Sequence, residues 1–406
     1  MLRDYLESHG VACELVARES GRANLIARLA GTGDGPSLAL LGHLDVVPAV
    51  AEDWMHPPFS GHLDDDGFVW GRGAADMKNE VATRAVAFAA LASEGFRPRG
   101  DLLLVAVADE EEGLSDVGAS WLVRERPELR VDYVLNEGAA ERLTLTDGRT
   151  VVTLAVGEKA AINVRITALG TPTASTVAVP GENAVARLAE LIQRLDRYRP
   201  RPRLTPATQR LLEALLDRAV SDDGQLGAAI AEATALHPAF DDLVAPLFAS
   251  TYAATQLHGS DALNVVPARA SVDVDARLVP GTTTDDVLRE LAEGLGDDVP
   301  HRVELLTEVM GGSSSPVDTA FVDRLTELLA DVDPDAVVVP TVLNGFTDSH
   351  YFREQFGSYA YGFWAARHTP YDVVAAGVHG NDERIHRDDL GYAAELELRL
   401  CRALLG

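Results

Sequence analysis

The stretch Asp101-Leu102-Leu103-Leu104-Val105-Ala106-Val107-Ala108-Asp109-Glu110-Glu111-Glu112 decides the fold. Its apolar part is short, continuous and rich in Leu and Val. Such a run reads as a strand buried on both faces, the kind that parallel α/β sheets contain. It ends on adjacent carboxylates, which repel one another unless water or cations separate them. On a surface loop they would be a solvated charge run. At the end of a buried strand they read as a metal ligand and a general base set side by side.

Working outward, the flanking segments repeat the theme. Ser37 to Leu41 and Tyr133 to Leu135 read as further buried strands, and alanine-rich Val81 to Leu91 has helical spacing. Alternating strands and helices predict an α/β sheet covered on both faces. The middle of the chain differs. Ala161 to Leu169 and Ala270 to Leu278 alternate apolar and polar residues, as half-exposed strands do. Helices are expected from about Asn183 and over Thr283 to Leu295, with a Pro200–Pro206 break and more helix between them, and His301 to Leu306 reads as a last strand. This β–α–β–β–α–β order predicts a small ferredoxin-like α+β sheet. Ala336 to Val339 and Tyr359 to Phe363 then return as strands, and Asp389 to Leu405 as a closing amphipathic helix. The expected organisation is one α/β domain, residues 1–157 and 309–406, interrupted by an α+β domain, residues 158–308.

Bulk properties narrow the function. The chain has 406 residues, enough for two domains, and a formal net charge of −28. So acidic a chain repels phosphate backbones and anionic lipid, which argues against nucleic acid and membrane partners. Cys13 and Cys401 make no disulfide framework. Met1 to Gly10 lacks the apolar core of a signal peptide, and no run is apolar enough to span a bilayer. A cytoplasmic protein is expected.

Potential metal ligands accumulate where strands end, the place where open α/β sheets bind ligands. His43 and Asp45 are two apart on an extended chain and point the same way. They suit a metal-bound imidazole oriented by a carboxylate, or equally a core histidine beside a surface aspartate. Asp76 closes the glycine-rich turn Gly71–Asp76, as a carboxylate bridging two cations or as an ordinary helix cap. Glu137 follows Tyr133 to Leu135, and His379 lies in Gly377–Glu383. Apart from Asp45, which would orient His43, these and Glu111 make two imidazoles and three carboxylates, a set that suits two zinc ions sharing one bridging oxygen ligand.

GHLDVVP, GRGAADMKN, ADEEEG, LNEGA and HGNDER, in this order, resemble the zinc amidohydrolase family of glutamate carboxypeptidase, succinyl-diaminopimelate desuccinylase, acetylornithine deacetylase and aminoacylase. The resemblance covers nearly the whole chain. It implies zinc, two ions per subunit with cobalt or manganese as substitutes, held by His43, Asp76, Glu111, Glu137 and His379. It implies Glu110 as general base and Asp45 as the group that orients His43. The middle segment resembles the family's lid and dimerisation domain, in which Asn264 and Arg277 face the substrate, and Gly345 opens a segment like its substrate-binding loop. The resemblance thus implies a homodimer and a small acylated amino acid or short peptide as substrate. One departure stands out. The family's lid histidine matches Ala174 or Thr173 here, and no histidine occurs between His62 and His237. His258 is a candidate substitute. A metal-containing protein that binds carboxylates with weak or lost hydrolysis is the alternative. By the same resemblance, the chain begins at what matches the second helix of the family domain.

Overall fold

The computed structural model describes residues 1–111, 115–221 and 224–406, so Glu112 lies outside the described residues. They form two compact units. One comprises Met1–Gly157, Ser314–Thr341 and Thr347–Gly406; the other comprises Glu158–Ser313 and Val342–Phe346.

The first unit is built on a nine-stranded sheet. Its strands are β1 (Cys13–Glu19), β2 (Arg22–Leu29), β3 (Leu38–His43), β4 (Leu102–Val107), β5 (Tyr133–Asn136), β6 (Arg142–Thr144), β7 (Thr150–Glu158), β8 (Ala336–Leu343) and β9 (Tyr359–Gly362). Their lateral order is β1-β2-β4-β3-β5-β9-β7-β8, with β6 against β7. β3 runs parallel to β4 and β5, and β5 parallel to β9, whereas β1, β2 and β4 pair antiparallel. The sheet is therefore mixed.

β3 and β4 are buried at every position because both faces are covered. Ala39, Leu41, Leu103, Val105 and Val107 pack with Leu122 and Val123 of the helix Ala119–Glu125 and with Phe352 and Phe356 of the helix Ser349–Phe356. The opposite face meets α1 (Lys78–Ser93). A Cβ at Gly42 would fall 2.8 Å from Val81 Cγ2 and 2.9 Å from Met77 Cε, so glycine permits this close approach. Small alanines let α1 fit between the sheet and α2 (Arg387–Leu405). Each fully buried Leu or Val contributes about 1.5–3 kcal/mol. The ends of the central strands are accordingly a rigid base for chemistry.

The second unit has the ferredoxin-like order. Its antiparallel sheet runs Thr251–His258, Arg269–Leu278, Ala160–Leu169, His301–Leu305, with the short strand Met310–Gly311 also on Ala160–Leu169. Leu188, Leu191 and Leu195 of the helix Ala184–Arg197 pack with Val287, Leu291 and Leu295 of the helix Thr284–Leu295 on Ile162, Val164, Ile166, Val272, Val274 and Ala276. Period-two burial on the strands and the helical stripes meet on one face. The Asn183 side chain accepts from Val185 N at 2.9 Å, and Thr283 and Asp286 form a capping box. Thr251–His258 is an edge strand, exposed at every position except Tyr252. Among the described residues, no helix is long and apolar enough to cross a membrane.

Candidate metal centre

The packed strands place the candidate ligands. His43 is the last residue of β3, Glu110 and Glu111 follow β4, and Glu137 follows β5. Asp76 lies two residues before α1, and the turn after the helix Tyr371–Gly377 carries His379. Two groups of potential ligands result, His43–Asp76–Glu137 and Asp76–Glu111–His379, each with ligand atoms within 4.8 Å of one another. Asp76 belongs to both. Its Oδ1 lies 3.0 Å from His43 Nε2 and its Oδ2 lies 3.3 Å from His379 Nε2. His43 Nε2 also faces Glu137 at 3.4 Å, and His379 Nε2 faces Glu111 at 2.9 Å.

The backbone around these groups is tightly specified. Glu383, fully buried, accepts from Gly73 N at 3.0 Å, Ala75 N at 2.7 Å, Asp76 N at 3.0 Å and Arg72 Nη1 at 2.7 Å. One carboxylate thus shapes the turn that presents Asp76. Asp45 meets His43 differently from the sequence-based expectation. The His43 Nδ1 contact is to the Asp45 backbone carbonyl at 3.0 Å, while the nearest Asp45 carboxylate oxygen is 3.8 Å away. That carboxylate instead accepts from Glu110 N at 3.2 Å and Glu111 N at 3.1 Å, so it orders the segment carrying those two glutamates. Asp109, at φ 82, turns away from the ligand groups and takes Arg22 Nη2 at 2.8 Å and Ser115 N at 3.1 Å.

The electrostatics are those of carboxylates crowded together. Burial, then Glu137 and Asp348, pushes the Glu110 carboxyl far above the usual range. Burial and Asp76 raise Glu111, and burial and Glu137 raise Asp348. For Asp76, burial acts upward, but the His379 and His43 imidazoles outweigh it and hold the group low. For His43, burial opposes the charged form, and Glu137 and Asp76 more than offset it. Glu137 Oε1 is buried with no hydrogen-bond partner. A buried oxygen without a partner is costly unless a cation takes it. The donor set, imidazole and carboxylate oxygen around one shared aspartate, fits a pair of divalent ions. A third group, His368–His386–Asp388, is less suited to an ion. His386 already faces Asp66 O at 3.1 Å through Nε2 and accepts Asp388 N at 3.3 Å through Nδ1.

Arg277, Asn264 and Gly345 all belong to the second unit. Arg277 Nε donates to Asp275 at 3.1 Å, and the exposed Asn264 accepts Ser175 N through its backbone carbonyl. His258 Nε2 lies 3.1 Å from Asp273. Two buried carboxylates of the first unit had no assigned role in the sequence. Asp348 carried a faint signal, since it ends Gly345-Phe346-Thr347-Asp348, and Glu383 none beyond its place after His379.

Fold and site together describe an α/β protein with imidazoles and carboxylates gathered at the ends of its central strands. Residues 39–403 match Peptidase family M20/M25/M40, and the chain belongs to that family of hydrolases. It is 27% identical over 331 residues to the probable carboxypeptidase S-like 2 of Dictyostelium discoideum, a match spanning 78% of this chain and 62% of that protein. It is 27% identical over 406 residues to mouse aminoacylase-1, spanning 97% of this chain and 86% of that protein. Among solved structures, an M20 family metallo-carboxypeptidase from Sulfolobus solfataricus superposes with a TM-score of 0.67 at 20% identity, covering 99% of this chain and 92% of that one.

Proposed function

We propose that this protein is a di-zinc amidohydrolase that cleaves the amide bond of a small substrate with a free carboxylate, an N-acyl amino acid or short peptide. One observation carries the reading: the Asp76 carboxylate reaches a different histidine–carboxylate pair with each oxygen, 3.0 Å to His43 and 3.3 Å to His379. His43, Asp76 and Glu137 would hold one ion, and Asp76, Glu111 and His379 the other. The similarity to aminoacylase-1 and to a carboxypeptidase S-like protein supports this choice of substrate class. When bound, such ions polarise a carbonyl oxygen and lower the pKa of water toward neutrality.

The chain's own groups do the rest. Glu110 removes a proton from the attacking water as its oxygen bonds to the carbonyl carbon. Glu110 then delivers that proton to the leaving nitrogen as the C–N bond breaks. Glu110 holds that proton between the two transfers. Asp45 fixes the segment that carries Glu110 through two backbone N–H groups. Arg277 presents a planar guanidinium that matches the substrate carboxylate, with Asn264 and the Gly345 backbone as further substrate contacts. The second unit would act as lid and dimer contact, and its exposed edge strand Thr251–His258 offers unpaired backbone groups to a second copy.

The test is hydrolysis of a panel of N-acyl amino acids and dipeptides by zinc-loaded protein. Turnover is expected for a carboxylate-bearing amide, abolished by chelation and by Glu110→Ala. Turnover that survives both treatments would refute the reading.

A further inference from the structure

Among the described residues, the largest fully buried side chain is cationic: Arg84, on α1. It lies beneath the candidate ligands rather than among them. Its Nη1 donates to Leu41 O in a short contact, and its Nη2 donates to Asn136 O at 3.0 Å. Leu41 is two residues before His43 on β3, and Asn136 immediately precedes Glu137 at the end of β5. The β3–β5 register ends with Leu40 opposite Leu135. Arg84 therefore joins the two strands at the first position beyond their ladder, where no further pairing holds them. Asn136 O also accepts Phe363 N at 3.1 Å, which fixes that carbonyl from β9's side. α1 itself begins two residues after Asp76. Glu80 at 2.5 Å and Glu397 at 3.6 Å offset the guanidinium's charge. These contacts all lie within the first unit.

We infer that Arg84 is the positioning residue for one metal subsite, His43–Asp76–Glu137, and not for the other. The inference rests on the metal reading above. Arg84 spans the two strand ends that carry His43 and Glu137, and among the described residues it makes no hydrogen bond to the segments carrying Glu111 or His379. A planar guanidinium bonds two divergent carbonyls at once, which an ammonium cannot do with the same geometry. Electrostatics alone gives the opposite expectation. A buried cation repels a metal ion, so removing its charge would tighten binding. Weakening on removal is therefore a signature of positioning.

The experiment isolates each subsite. His379→Ala leaves His43–Asp76–Glu137 as the intact set, and His43→Ala leaves Asp76–Glu111–His379. Zn(II) affinity is measured by competition with a chromophoric chelator, and Co(II) absorption reports coordination. Adding Arg84→Met is expected to weaken the ion about 10- to 100-fold in the His379→Ala background, the usual cost of losing an outer-shell support. In the His43→Ala background the change is expected to stay within about twofold, as for independent sites. Should Arg84→Met not fold, as judged by circular dichroism, Arg84→Lys is read the same way, with a smaller loss confined to the same subsite. Equal weakening in both backgrounds, no weakening, or tighter binding in the His379→Ala background overturns the inference. Wild-type protein that binds no ion overturns the metal reading with it. Wild-type protein that binds two, unaltered by either Arg84 variant, overturns the role of Arg84 alone.

Discussion

Glu383→Gln is the perturbation that most sharply tests how the centre is built. The wild-type carboxylate is fully buried and uses both oxygens. Oε1 accepts from Ala75 N and Asp76 N, and Oε2 accepts from Arg72 Nη1 and Gly73 N. Glutamine replaces one oxygen with an NH2 donor, so whichever way the amide turns, two donors face a donor. Hydrogen bonds to a charged group contribute about 1.5–3 kcal/mol each. The substitution also leaves the Arg72 guanidinium, only 3% exposed, without its carboxylate. Breaking a buried ion pair costs about 3–5 kcal/mol. The two figures describe overlapping contacts, so about 3–5 kcal/mol is the expected total, a large share of the roughly 5–15 kcal/mol that holds a folded protein together. Because the lost bonds define the Gly71–Asp76 turn, Asp76 should also lose its position, and both ions should weaken together. Urea unfolding followed by tryptophan fluorescence gives the stability change, and chelator competition gives the affinities. A loss below about 1 kcal/mol with unaltered zinc affinity would refute the claim that Glu383 builds this turn.

Other expectations follow from the same contacts. Burial, opposed by Arg84, pushes the Glu397 carboxyl up to about 7, against about 4.3 in an unfolded chain. The folded state keeps this proton after the unfolded state has released it, so the contribution to stability is full below about pH 4.3 and is lost as pH rises through about 7. Glu397→Gln should therefore gain stability relative to wild type between pH 5 and pH 8, and a pH-independent difference would contradict that sign. Asn24, fully buried, donates to Val117 O at 2.8 Å and accepts Ala108 N at 2.9 Å just before Asp109. Asn24→Ala strands both groups, at about 1–3 kcal/mol each, and should lower kcat while zinc content is kept; unchanged stability and kcat would exclude Asn24 as a support of the Glu110 segment. Val164→Ala in the second unit, with Val164 completely buried in its sheet, should cost about 1–3 kcal/mol through lost burial and a cavity, read as a lower urea midpoint.

Much of this was legible in the sequence for physical reasons. A strand buried on both faces is wholly apolar, so Leu102–Val107 announced itself, and the carboxylates that end it marked the functional edge of the sheet. β1 and β2 did not announce themselves: β1 lies at the sheet edge, mostly exposed, and lacks a continuous apolar run. The edge strand Thr251–His258 was missed for the same reason, since neither of its faces is consistently buried. The ligand residues could be nominated by type and by strand ends. Their supports could not. Arg84 is one charged residue in an alanine-rich helix, and its partner Glu397 is distant in sequence. Asp45 meets His43 through its backbone, which carries no side-chain signature at all. Asp348 became visible as a buried carboxyl only once the fold brought it beside Glu137 and His43.

The central claim is that one aspartate joins two metal subsites, and metal content tests it most directly. Protein stripped with chelator, reloaded with zinc and desalted should carry two ions per chain by elemental analysis, and Asp76→Ala should carry none at the same free zinc concentration. Two ions retained by Asp76→Ala, or a single ion in wild type, would contradict the account.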